Sequence, residues 1–174
     1  MGYPDSSTFS QQVIDIKLFD SQLKLNEENT ILLGKEQYVA ILPSNHPLAN
    51  KPHFKLSMLS NEEFILTNPS GLRTTVTDMC HEAGFEPNIV AETQLYSEAL
   101  SLVESGIGCT IGTAFTWLGH HHFNIAVKVC EDVHRYRYLY ANLNSDIEPS
   151  QATKTFIEFL KSYSKEITQS YEDE

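Results

Sequence analysis

Between Glu63 and Thr113 the apolar residues change their period twice, in the same order each time. The apolar run Glu63–Thr67 predicts a strand. It is followed by Val76, Met79, Cys80 and Ala83, spaced i, i+3, i+4 and i+7 along one helical face, so a helix is predicted over Leu72–Ala83. Ser70 is the expected N-cap of this helix and Gly84 its stop. The strand Ile89–Glu92 comes next, and then Tyr96, Ala99, Leu100 and Val103 repeat the helical spacing over Tyr96–Ser105. Gly106 ends that helix, and Gly108 lets the following strand, Cys109–Ile111, approach its neighbour closely. Two successive strand–helix units of this kind predict an α/β core with a parallel sheet.

The flanks are sparser. The run VIDIKLF, with Val13, Ile14, Ile16 and Leu18, suits a buried strand, and residues 20–30 form a polar connection. Tyr38–Leu42 is a strand stopped by Pro43, and Pro47 and Pro52 keep the next stretch out of helix. Leu56 and Leu59 predict a single helical turn. Phe115–Phe123 is short and irregular or helical. Strands follow at Ile125–Val129 and at Arg135–Tyr140, where Tyr136, Tyr138 and Tyr140 alternate with Arg135 and Arg137. The last helix, over Gln151–Ile167, presents Phe156, Phe159, Leu160, Tyr163 and Ile167 for a sheet to cover. One unit is therefore complete, from about residue 44 to 130, and the flanks hold too few strands for a second good core.

Each strand of the central units enters a polar loop before its helix. Helix N-termini present unpaired N–H groups and the positive end of the helix dipole, so this edge suits a small polar or anionic ligand. Asn68, Ser70, Gly71 and Arg73 occupy the first loop and helix start, and Thr93 and Gln94 occupy the second. Thr67 and Thr113 are weaker candidates of the same sort. The competing explanation for all of them is helix capping and loop polarity.

Composition narrows the choice. The 174 residues carry a net charge of −11, from 23 acids against 12 bases, and the bases are scattered. Such a surface repels phosphate backbones, so the chain by itself is not expected to bind nucleic acid. No apolar run reaches membrane-spanning length, and residues 1–12 lack the features of a secretory signal. Cys80, Cys109 and Cys130 lie apart in apolar context, which predicts reduced, buried thiols in a cytoplasmic protein. The consecutive His120, His121 and His122 do not converge on one ion, so a solvated turn is expected there and no metal or other cofactor is predicted. No acid–base pair, nucleophile motif or phosphate loop points to an enzyme.

Three motifs in order carry a family resemblance. His46-Pro47-Leu48-Ala49 follows the strand YVAIL, Ala83-Gly84-Phe85 with Pro87 ends the first helix, and Leu102-Val103 with Gly106 and Gly108 ends the second. Together with VIDIKL and its Asp15, these residues resemble the effector-binding region of LysR-type transcriptional regulators, over about Val13 to Ile167. The resemblance implies a two-lobed periplasmic-binding-protein-like (type 2) architecture with an effector cleft. The second lobe is complete (44–130), and the first is partial: 1–43, plus a return strand and helix in 131–174. It places the polar loop residues at the cleft and His46 at a hinge. The family's winged helix-turn-helix, and the first strand–helix–strand of its effector region, have no counterpart in these residues. DNA would therefore be read only through a separate N-terminal head. The family often has Pro after the strand that follows G-x-G, where this chain has Gly112-Thr113. A homo-oligomer is also implied, with the last helix free to pack against another copy. A solute-binding receptor of the same fold is the alternative, and it would require export.

Overall fold

The computed structural model describes residues 14–67, 72–114 and 123–172, with side chains of the last helix described as far as Ser164. Among them the elements run β1 (Ile16–Ser21), β2 (Thr30–Pro43), a 3-10 turn (Leu56–Leu59), β3 (Glu63–Thr67), α1 (Leu72–Glu82), β4 (Asn88–Thr93), α2 (Tyr96–Glu104), β5 (Thr110–Thr113), β6 (Ile125–Val129), β7 (Tyr136–Leu143) and α3 (Gln151–Glu172). The chain divides into two units, Met1–Lys35 with Tyr136–Glu174, and Glu36–Arg135.

In the second unit the run Tyr38–Pro43 of β2 lies between two antiparallel neighbours. Tyr38–Ile41 pairs with β5 and Val39–Pro43 with β6. A strand hydrogen-bonded on both sides and covered on both faces must be apolar at every position, which explains the unbroken YVAIL. Its alternate residues divide between two cores. Tyr38, Ala40 and Leu42 join Phe64, Leu66 and the α1 residues Val76, Met79 and Cys80. Val39 and Ile41 join Ile65 and the α2 residues Ala99, Leu100 and Val103. The helical faces expected from sequence are thus the buried ones, one on each side of the sheet. Leu56 and Leu59 of the 3-10 turn are fully buried.

The expected parallel pairing is found between β3 and β4, in register from Glu63↔Asn88 to Thr67↔Thr93 with one shift at Phe64/Ile65. The third strand is more restricted than the repeat predicts. β5 meets β3 only through a parallel bridge between Phe64 and Cys109, closed by Ile65 N–H donating to Cys109 O and Cys109 N–H donating to Glu63 O, both at 2.8 Å. Its regular partner is β2, antiparallel. Local periodicity carries no information about which strands pair, and β2 is a long-range contact. Both helices stop as expected. Gly84 and Gly106 have φ of +91° and +80°, and Phe85 and Ile107 N–H reach back to Cys80 and Leu102 carbonyls at 3.0 and 3.1 Å.

In the first unit β7 is bordered by β1 and β2. β1 pairs antiparallel with β7 from Ile16↔Leu143 to Ser21↔Tyr138. Here two expectations are corrected. The strand begins at Ile16 and continues to Ser21, and it is half-exposed rather than buried, with Leu18 57% exposed. α3 turns Leu160 inward as expected, but together with Thr153 and Ile157, whereas Phe156, Phe159 and Tyr163 are 43%, 56% and 50% exposed. These aromatics stack on one another, with centroids 6.3 and 5.7 Å apart. The inward stripe and the aromatic stripe lie roughly a quarter-turn apart on the helix. Sequence favoured the bulkier stripe, but the helix is fixed by one local tie and one distant one. Ser150 Oγ caps Thr153 N–H at 3.1 Å, and the Thr153 hydroxyl donates to Asp15. The Ile167 side chain lies outside the described residues. Tyr140 is the fully buried tyrosine of β7, stacked on Phe19 at 5.5 Å and accepting the Leu25 N–H at 2.8 Å. Arg135 precedes β7 instead of sharing its outer face. It forms a fork on the Glu82 carboxylate of α1, and this hydrogen bond holds the Glu82 carboxyl below its usual range.

All three cysteines belong to the α1-side core and are free thiols. Burial pushes Cys80 and Cys130 up to about 12 and raises Cys109 as well. The thiolate is the reactive form, so at pH 8 an aromatic disulfide reagent should label the folded protein only as fast as it opens. In urea all three should react at once. Rapid labelling of any thiol in the folded protein would contradict this packing.

Candidate functional site

Thr67, Thr93 and Thr113 are each the last residue of their strand, β3, β4 and β5. β3 and β4 are parallel and β5 is parallel to β3 at the Cys109 bridge, so the three residues end at one edge. Thr67 and Thr93 face each other in register. All three are buried, at 2%, 8% and 3% exposure. Burying a hydroxyl without a partner costs about 1–3 kcal/mol. The Thr93 hydroxyl donates to Leu95 O at 3.2 Å. The Thr67 hydroxyl has no hydrogen-bond partner among the described residues. Thr110, whose hydroxyl is likewise unpartnered, sits deeper, opposite Ile41 of β2.

The charged residues at this edge are already engaged. Arg73, in the first turn of α1, pairs through its guanidinium with Glu92 on β4. Both are partly exposed, at 48% and 39%. Glu98, in the first turn of α2, folds back so that its carboxylate accepts the N–H groups of Gln94 and Leu95, each at 3.2 Å. This is the glutamate half of a capping box; Leu95 offers no acceptor for the other half. Gln94 therefore contributes its backbone to a cap, which is the bland explanation of that loop. Asn68, Ser70 and Gly71, and with them the expected N-cap, lie outside the described residues, as do His120, His121 and His122.

Glu92 and Glu98 were missed by sequence reasoning. Glu98 was legible, because a glutamate three residues past the N-cap is a capping position. Glu92 was not, since nothing local says that its neighbour across the sheet edge is Arg73.

The opposite edge, at the start of β3 and β4, holds a separate depression of about 350 Å³ lined by His46, Glu62, Glu63, Asn88 and Gly106–Cys109. His46 is engaged there. Its Nδ1 accepts Leu48 N–H at 3.2 Å and its Nε2 lies 3.3 Å from Glu62. Among the described residues no group of His, Cys, Asp or Glu is arranged to hold a metal, and no helix is long and apolar enough to cross a membrane. The Thr67 edge thus combines one buried hydroxyl without a partner among the described residues and a guanidinium held by Glu92 in a partly exposed pair, a set that can take a polar ligand.

The family model described as the LysR substrate binding domain matches residues 10–165. The transcriptional dual regulator GltC of Bacillus subtilis (strain 168) is 37% identical over 82 residues, which are 46% of this chain and 27% of that protein. The matched stretches cover 34%, 27% and 37% of three curated relatives' own lengths. Two solved structures are similar in fold. The effector-binding domain of QuiR in complex with shikimate has a TM-score of 0.70 at 23% identity, covering 94% of this chain and 79% of that one. The BenM effector-binding domain with its effector benzoate has 0.68 at 24% identity, covering 99% and 78%.

Proposed function

The chain belongs to the LysR substrate binding domain family, and from that membership we propose that it binds a small polar or anionic effector at the Thr67–Thr93–Thr113 edge of its second unit. Its fold is the α/β, type 2 periplasmic-binding-protein-like fold of LysR effector-binding domains. The observation that supports the site is the Thr67 hydroxyl, which is buried at the end of a parallel strand with no partner among the described residues. A ligand oxygen or amide would supply that partner. The start of α1 and Arg73 add the positive field that favours an anion. Shikimate and benzoate, bound by QuiR and BenM, are both carboxylates.

The chemistry is binding without turnover. An effector acts by its different affinity for two states of the protein, and a winged helix-turn-helix head elsewhere in the whole cytoplasmic regulator reads DNA. The protein associates with further copies of itself. The stacked, exposed Phe156, Phe159 and Tyr163 of α3 support that association, which light scattering would register as a mass above 19.7 kDa. A strictly monomeric species would remove it.

Titration calorimetry with shikimate, benzoate and a panel of small carboxylates and polyols tests the site. Thr67→Val removes one hydroxyl at constant shape and should weaken a binding ligand by about fivefold to tenfold, the value of one neutral hydrogen bond. Arg73→Gln should weaken carboxylates by about tenfold or more, the value of a charged one. If both variants bind as the wild type does, the edge is not the site.

A further inference from the structure

We propose that Glu92 is a built-in competitor for the effector's anionic group, and so sets which ligands the edge accepts. This rests on the reading of that edge as the effector site. Three features there attract an anion: Arg73, the start of α1 and the start of α2. Two of the three are already answered by the chain's own carboxylates. Glu98 occupies the Gln94 and Leu95 N–H groups ahead of α2, and Glu92 pairs with Arg73. A ligand carboxylate or phosphate that uses Arg73 must therefore displace one of them or share its field.

Magnitudes decide which one yields. Stripping Glu98 from two backbone donors unmakes a helix cap, which costs up to about thirtyfold in an equilibrium constant. The Arg73–Glu92 pair is partly exposed on both sides, at 48% and 39%, and a pair of that kind contributes about two- to fivefold. Glu92 gives way, and Glu98 stays as a cap. Because Arg73 lies in the first turn of α1 and Glu92 precedes Thr93 on β4, the exchange loosens a tie between these two elements as the ligand is gripped. It also discriminates among ligands: a neutral amide or polyol has no group to exchange with Glu92. Only a ligand with a full negative charge competes for Arg73, and it binds through the difference between two ion pairs.

The test uses the whole chain and charge-matched probes: benzoate against benzamide, and shikimate against its carboxamide. Glu92→Gln should bind both carboxylates about two- to fivefold tighter and leave both amides unchanged. In an Arg73→Gln background the same substitution should lose its gain, because no guanidinium remains to be freed. An equal gain with and without Arg73 would identify Glu92 as a general repulsive charge and overturn the exchange. No gain from Glu92→Gln, with Thr67→Val and Arg73→Gln still weakening the carboxylates, would overturn the competitor role and leave the edge as the site. Failure of every probe to bind either protein, or indifference of all the variants, would overturn both.

Discussion

Replacing Gly108 with alanine should be the most damaging single-methyl change in the second unit. A Cβ there would lie 2.4 Å from the Glu63 carbonyl oxygen and 2.9 Å from its carbon, both backbone atoms. The same carbonyl accepts the Cys109 N–H at 2.8 Å, half of the bridge joining β5 to β3. No rotamer change relieves such a contact, so the strands must separate and the bridge must stretch. Overpacking of this kind together with weakened backbone hydrogen bonds should cost about 3 kcal/mol or more. For a chain of this size that lowers Tm by roughly 6–12 °C. Thr113 would move relative to Thr67, so binding at the proposed edge should fall with stability. A melting curve for Gly108→Ala superimposable on that of the wild type would mean that β3 and β5 do not approach as described.

Phe64→Ala should rival it. Phe64 is fully buried near the start of β3, packs its ring against Phe85 at 5.9 Å, and shares the bridge with Cys109. Deleting such a ring leaves a cavity between α1 and the sheet and costs about 3–5 kcal/mol. Phe64→Leu keeps most of the volume and should cost about 1.5 kcal/mol or less. The informative comparison is Phe159→Ala. Sequence alone treats Phe159 as another core residue, whereas its ring is 56% exposed on α3. Truncating it should change the stability of the isolated chain by about 0.5 kcal/mol or less. Urea denaturation of the three variants separates these values, and equal losses at Phe64 and Phe159 would reject the outward orientation of the α3 aromatics.

That comparison marks the limit of reading the helices from sequence. α1 and α2 each carry one apolar stripe, and both stripes are buried where expected. α3 carries two, and the choice between them depends on Asp15, more than a hundred residues away, which receives the Thr153 hydroxyl. The candidate site divides along the same line. Thr67, Thr93 and Thr113 could be named from their place after three apolar runs, because a polar residue ending a buried parallel strand is local information. The Arg73–Glu92 pair could not, although both residues were in plain view. Arg73, named from sequence only as a candidate anion contact, is paired with Glu92 of β4.

The sequence by itself determined the strand–helix order, the glycine stops at Gly84 and Gly106, the close approach at Gly108, and the family, since each depends on spacing along a few neighbouring residues. Only the tertiary structure decided that β5 pairs with β2 more fully than with β3, that the α3 aromatics face outward, and that the edge's cation already has a carboxylate partner. Those outcomes depend on which distant segments compete for the same hydrogen bonds, surface and charge, and period and propensity do not encode that competition.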